Sequence, residues 1–201
     1  MIHDLTSQEL EQLLPTFGMN DEILNEMPAE FSEHFGKGVK FWQYPNQFAP
    51  YLKHLSTLKI NSYLEVGCRW GGTFILTTRL LGIKKGMACD LIPKSEILEG
   101  FNELEDFQYL EGPSADLSKI DGQFDLILID GDHSYNGVKS DFETCLRFKP
   151  KYIAFHDIVN QVCPGVQQFW NEIKGQYPHQ EFTAQYDSVN GTFLGIGLIV
   201  L

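Results

Sequence analysis

Basic side chains are in short supply: 15 Lys and Arg stand against 27 Asp and Glu in a chain of 201 residues, a net formal charge of -12. Such a field repels phosphate backbones and anionic lipid, so neither nucleic acid nor a membrane surface is expected as a partner. Residues 1–36 contain eight acids and no Lys or Arg at all, the pattern of a solvated helical face. Cysteine is sparse too. Cys68, Cys89, Cys145 and Cys163 form no C-x-x-C pair and have no histidine at zinc-finger spacing. That excludes a disulfide scaffold and a structural zinc site of the usual kind, and leaves buried, reduced thiols as the expectation. No run of about 18 apolar residues occurs, and no basic segment leads into an apolar one at the start, so neither a membrane span nor a leader peptide is read and a cytoplasmic location is expected. Gly and Pro are near ordinary usage, without repeats or low-complexity tracts, which excludes collagen-like and disordered chains. With 43% hydrophobic and 21% charged residues, a single domain with one full-sized core is expected.

What is present is a change of hydrophobic period along the chain. Thr6 and Glu9 form a capping-box pattern ahead of Leu10, Leu13 and Leu14, and residues 1–30 read as short helices. Phe48, Leu52 and Leu55 mark one face of a further helix leading to Thr57. From Ser62 the apolar residues come in short runs instead. Strands are expected at 62–66, 86–90, 107–111, 124–130 and 151–156, with helices near 72–82, 95–104, 114–119 and 135–147. Fully apolar runs of that length belong to a parallel sheet covered on both faces. The fold class is therefore α/β, a doubly wound, mostly parallel, Rossmann-like sheet. Residues 180–186 and 192–201 are two more strand-like runs with Asn190-Gly191 between them, a hairpin signal, so the sheet should end in an antiparallel pair. Residues 1–58 read as a helical appendage and 59–201 as the sheet-bearing domain, the two forming one structural unit. Segment 34–51, with Phe35, Phe41, Trp42 and Tyr44, is either a lid over a site or packing for the N-terminal helices.

Chemistry-bearing residues gather at the expected strand ends. In YLEVGCRWGGTF, residues 63–74, an apolar strand leads through Glu65 and Gly67 to Gly71, Gly72 and Thr73 at the start of a helix. Gly67 suits a tight turn, and Gly71 would let a ligand approach backbone amides at the helix N-terminus. The spacing is not the G-x-G-x-x-G fingerprint of dinucleotide sites. Asp90 closes the next strand, where an acid accepts hydrogen bonds from ribose hydroxyls in such folds. FDLILIDGDHSYNGVKSDFE, residues 124–143, delivers Asp130, Asp132 and His133 to the same edge, and KYIAFHDI, residues 151–158, ends in His156-Asp157. If the two strands are neighbours, carboxylates and imidazoles converge beside the first turn, an arrangement that is costly unless it is used. Each also has a structural alternative: Asp132 as a turn residue, Asp130 as a helix cap, His156 as a satisfied strand-end histidine.

These motifs resemble the class I S-adenosylmethionine-dependent methyltransferases, and within them the group related to macrocin O-methyltransferase and cephalosporin hydroxylase, typified by D-G-D-H-S-Y followed downstream by H-D. The resemblance implies a seven-stranded sheet with its last strand antiparallel and the methyl donor above the first glycine turn. It places Glu65, Gly67, Gly71 and Thr73 along the methionine and ribose side of S-adenosylmethionine, Asp90 on the ribose hydroxyls and Ser114 near the adenine. By analogy with catechol-type relatives, Asp130 and Asp157 would hold a divalent metal, with His156 where some relatives supply another acid. The catechol-type pattern has Asn after the strand-five Asp, and this chain has Ile158. Mg²⁺ or Mn²⁺ is the implied ion, with an imidazole ligand favouring Mn²⁺. The implied reaction is O-methylation of a hydroxyl on a small molecule or glycan, with His133 and Asp130 as catalytic residues and His133 as the base. Two other readings are a non-catalytic S-adenosylmethionine-binding protein, which would not need the acceptor-side residues, and a nicotinamide-dependent oxidoreductase, which the glycine spacing disfavours. The sequence leaves oligomeric state open, including a homo-oligomer.

Overall fold

The computed structural model describes residues 2–201. Helix α1 (Ser7–Leu13) starts from the expected capping box: Thr6 Oγ1 accepts from Glu9 N at 3.2 Å, and Thr6 N donates to the Glu9 carboxylate at 2.8 Å. Leu10 and Leu14 turn inward from it, onto helix α2 (Pro45–Leu55), whose Phe48, Leu52 and Leu55 are buried as their spacing predicts. This layer shares one apolar cluster with Tyr63 in strand β1 (Ser62–Val66) and with Phe74 and Leu76 in helix α3 (Gly72–Leu81). The N-terminal helices thus close one face of the sheet rather than forming a core of their own.

Strands β2 (Lys85–Asp90) and β3 (Asp106–Glu111) follow, the short helix α4 (Glu96–Glu99) between them, and then β4 (Leu126–Ile129), helix α5 (Tyr135–Cys145), β5 (Tyr152–Phe155), helix α6 (Pro164–Ile173), β6 (His179–Phe182) and β7 (Ile196–Val200). The sheet order is β3-β2-β1-β4-β5-β7-β6. The first five strands in sequence are parallel, while β7 runs antiparallel to both β5 and β6. The fold is the doubly wound α/β sheet expected from the sequence. The chain winds outward through β1, β2 and β3, then crosses back to lay β4 on the other side of β1. That reversal is a topological switch point, and in open α/β sheets the crevice beyond the strand ends there is where ligands bind. Pairing of Val66 with Cys89 and with Ile129, and of Ile129 with Phe155, sets the ends of four strands level.

Three elements differ in extent or type from what the sequence predicts. The 95–104 helix is only one turn, capped where Ser95 Oγ accepts from Leu98 N and ended by Gly100. Residues 114–119 form a 3-10 helix. The pair β6–β7 is antiparallel as expected, yet Asn190-Gly191 is no two-residue hairpin turn, because residues 183–195 form a long loop. Its polar ends are tied to α2: Gln47 Nε2 donates to Ala184 O at 2.6 Å, and Gln47 Oε1 accepts from Gly195 N at 2.8 Å. All four cysteines are buried and free. Among the described residues, no helix is long and apolar enough to cross a membrane.

Candidate active site

At the end of β1 the chain turns at Gly67, whose φ is +82°. A Cβ there would sit 2.0 Å from the Asp130 carbonyl oxygen, so only glycine lets the first turn lie against the loop after β4. Gly71 caps α3 with φ +87°, but the space in front of it is filled by the Leu98 side chain, 2.3 Å from a would-be Cβ. It supports the turn from behind, while Gly67, Gly72 and Thr73 line the cavity. Asp90 faces that cavity with both oxygens held by the surrounding loop: Oδ2 accepts from Arg69 N at 2.6 Å and Oδ1 from Ile92 N at 3.2 Å. Ser114 lines it as well and donates to the buried carboxylate of Asp141 on α5.

Glu65 is the buried acid of this end. It takes a hydrogen bond from the Tyr63 hydroxyl at 2.6 Å. Burial drives its pKa well above the carboxylate range, and the bond from Tyr63 offsets only part of that rise.

The second cluster stands at the ends of β4 and β5. His156 Nδ1 lies 3.0 Å from Asp130 Oδ1 and 3.5 Å from Asp157 Oδ2, and His133 Nε2 lies 3.4 Å and 3.1 Å from the same two oxygens. His156 and Asp157 are buried, whereas the His133 side chain is 46% exposed and faces the opening. Asp157 has φ +63°, a left-handed conformation that Asp tolerates better than most residues, and it aims the carboxylate inward. Its other oxygen accepts from Asn160 Nδ2 at 2.6 Å. An amide thus reaches the strand-five acid from three positions downstream, although Ile158 occupies the expected place. Asp130 does not cap α5; Ser134 does, accepting from Gly137 N at 3.1 Å, while Asp132 accepts from Ser134 N at 2.8 Å and shapes the turn.

The charges here are interdependent. Bonds to Asp130 and Asp157 hold the His133 imidazole protonated far above the usual histidine range. Burial pulls His156 down, but the charges of Asp130 and Asp157 outweigh it and push its pKa up to about 10. Burial raises Asp157, and the two imidazoles more than reverse this, leaving it well below the carboxylate range.

The donor set fits a divalent cation. Asp130, His156 and Asp157 present three ligand atoms within 4.8 Å of one another, and His156 Nε2 is buried without a partner.

Both clusters open into one cavity of about 850 Å³, a volume in the range of small-ligand sites. The sequence motifs did not reveal several of its walls. Arg69 pairs with Glu22, and its guanidinium lies 5.4 Å from the centre of the Trp42 ring. Cys163, Asn160 and Leu194 also line the cavity. Leu194 comes from the long loop before β7, and no short-range pattern marks it. In segment 34–51, Phe41 and Tyr44 are fully buried, and Lys40 and Trp42 line the cavity. The segment therefore packs the core and walls the site together.

Solved structures share this fold. The O-methyltransferase TomG from Streptomyces achromogenes, involved in tomaymycin synthesis and solved in complex with SAM, superposes with a TM-score of 0.62 at 13% identity, covering 100% of this chain and 99% of that one. An O-methyltransferase from Bacillus cereus in complex with SAH gives 0.57 at 18% identity, covering 98% and 91%. The N-methyltransferase NodS from Bradyrhizobium japonicum WM9 gives 0.54 at 12%, covering 75% and 92%. The fold is that of the class I S-adenosylmethionine-dependent methyltransferases. Residues 64–158, the stretch that carries β1 through β5, match the family described as "Methyltransferase domain". No curated protein matches the chain.

Proposed function

We propose that this protein transfers the methyl group of S-adenosylmethionine to a hydroxyl oxygen of a small-molecule or glycan acceptor, assisted by a divalent metal. The observation that carries the reading is the single cavity joining the first-turn residues to the acid–imidazole cluster. Glu65, Gly67, Thr73, Asp90 and Ser114 are assigned to the donor, with the Asp90 carboxylate taking the ribose hydroxyls. Gly71 is assigned to holding the turn they depend on.

In the reaction the acceptor oxygen bonds to the methyl carbon as the carbon–sulfur bond breaks. The sulfonium leaves as a thioether, and the hydroxyl's proton passes to His133 or to solvent water. Much of the catalysis lies in aligning the two reactants in line. Asp130, His156 and Asp157 would hold the cation, whose Lewis acidity lowers the cost of ionising an alcohol at neutral pH. Asp130 and His133 are the groups placed to meet the acceptor. With a cation between the two carboxylates His133 would be neutral, and two roles are then open to it, proton acceptor and further metal ligand. Lys40 and Trp42 wall the cavity and are assigned to excluding water during transfer.

The acid–imidazole end favours a hydroxyl acceptor over an amine, because a metal and carboxylates activate an oxygen that is otherwise a poor nucleophile. The net charge of -12 disfavours a polyanionic acceptor. The test is to incubate the full chain with S-adenosylmethionine, Mn²⁺ or Mg²⁺ and a panel of hydroxylated sugars and phenols, and to measure S-adenosylhomocysteine. Turnover that is at least tenfold lower after chelation is expected. Donor binding without turnover across the panel would instead identify a non-catalytic binding protein.

A further inference from the structure

Backbone strain in this chain is concentrated at the cavity. Among the described residues, Ile23, Lys40, Arg69, Asp157 and Leu194 have φ between +45° and +63° and line the cavity, and the remaining non-glycine residue in that left-handed conformation is Lys149. Residues so strained persist where the surrounding structure holds them against a cost, and they gather at ligand-binding sites. Ile23 is the most costly of the set, because a branched Cβ fits the left-handed region worst. It gains little from burial in return, being 52% exposed. Val162 also lines the cavity and is 64% exposed, so a second apolar side chain stands open to the same space. An apolar side chain held out toward a cavity is stabilised only when something apolar enters.

Both residues stand at the acid–imidazole end. Val162 precedes Cys163, whose thiol lies within 4.8 Å of the donor atoms of His133 and Asp157. Ile23 opens the 3-10 turn Leu24–Glu26, which the Tyr44 hydroxyl ties down by donating to Glu26 O. That turn lies near Asp157: burial and then the Asp157 charge raise the pKa of Glu26. Leu194 adds a third apolar wall, its carbonyl accepting from Val159 N at 3.1 Å in the loop after β5. Polar side chains beside these three are already engaged. Asn160 donates to Asp157 and accepts from Val162 N at 3.2 Å, and Glu22 is paired with Arg69. A bare sugar carries hydroxyls on every side and would bury several of them here without partners, which is costly. An apolar body buries its surface against the same walls at a gain.

We infer that the acceptor carries its hydroxyl on an apolar body rather than on a bare sugar, and that Ile23, Val162 and Leu194 hold that body while the hydroxyl reaches Asp130 and His133. This rests on the transferase reading above and names its substrate class. Ile23 and Val162 are then specificity-determining residues, supplied by the N-terminal segment and the loop after β5 rather than by any of the strand-end motifs.

Calorimetry on the full chain saturated with S-adenosylhomocysteine, with 2-naphthol and methyl glucoside as probes, reads this without requiring turnover. 2-Naphthol is expected to bind about tenfold more tightly than methyl glucoside, or better. I23N installs a residue that tolerates the left-handed conformation and removes the branched apolar side chain, while V162S trims an exposed one, so both variants should fold. Each should weaken 2-naphthol about tenfold and leave S-adenosylhomocysteine affinity unchanged. I23N should also melt at or above the wild-type temperature, because it relieves strain. Methyl glucoside binding as tightly as 2-naphthol, no 2-naphthol binding, or full 2-naphthol affinity in both variants would overturn the inference. Methyl transfer to sugars and not to phenols would overturn it too, and leave the transferase standing. Variant-sensitive 2-naphthol binding in a chain that transfers nothing would uphold the apolar subsite and sink the proposed activity.

Discussion

Glu65 is the residue whose state depends most on what fills the cleft. Its carboxyl is buried beneath the first turn, and burial holds its pKa well above the ordinary range. A carboxyl with a raised folded-state pKa adds no penalty below its unfolded pKa and lowers stability progressively as pH rises above it. E65Q keeps the shape and cannot ionise. Its melting temperature should match wild type at about pH 4 and exceed it increasingly toward about pH 8. The same substitution should weaken S-adenosylmethionine at least tenfold in calorimetry, because the donor's positive charge would be the natural partner of the ionised form. Unchanged donor affinity in E65Q would make Glu65 a structural acid. Residue types such as Glu65, Asp90, Asp130, His133, His156 and Asp157 were legible in the sequence because each stands at the end of an apolar run. Gly71 reads in the sequence as the glycine that opens the helix N-terminus to a ligand, but Leu98 from a separate helix fills that space, and no local pattern predicts the contact.

At the scale of elements, the amino-terminal edge of the sheet is held by side chains as well as by the strand ladder. Before β4, Asp125 accepts from Asn61 N at 2.8 Å and from Lys151 Nζ at 2.7 Å, while its own amide donates to Ser62 Oγ at 2.9 Å. The starts of β1, β4 and β5 are thereby pinned together, which sets the level of their far ends where the site lies. Burial pushes the Asp125 pKa up, but the bonds from Lys151 and the Asn61 amide outweigh this and leave it lowered. Such a carboxylate stabilises the fold above its unfolded pKa, and that contribution is lost as pH falls through the folded value. Lys151 is more than half exposed, so solvent screens its share of the effect. D125N should cost about 1–2 kcal/mol at neutral pH by thermal or urea unfolding, and the difference from wild type should shrink in acid. An equal difference at both pH values would show that the charge is not what matters. The same tie explains why β4 is shorter than its apolar run: Phe124 and Asp125 are held by side-chain bonds and packing before the ladder begins. The short α4 and the long loop 183–195 escaped the sequence reading for a related reason, since a local cap at Ser95 and the distant Gln47 decide them.

For the whole molecule, periodicity was sufficient for the sheet and its doubly wound sense, because a parallel sheet covered on both faces leaves continuous apolar runs in the chain. Periodicity was insufficient for the cavity walls. Arg69, Trp42 and Leu194 are brought together by the N-terminal segment and the last loop folding over the strand ends, and these contacts are long-range. The account stands or falls on donor and acceptor chemistry sharing the cleft at the switch point. A crystal structure with S-adenosylhomocysteine tests this most directly. The expected result is ribose hydroxyls on Asp90, adenine beside Ser114 and the sulfur directed toward Asp130 and His133. A ligand bound outside this cleft, or one whose sulfur points away from the acid–imidazole cluster, would contradict it.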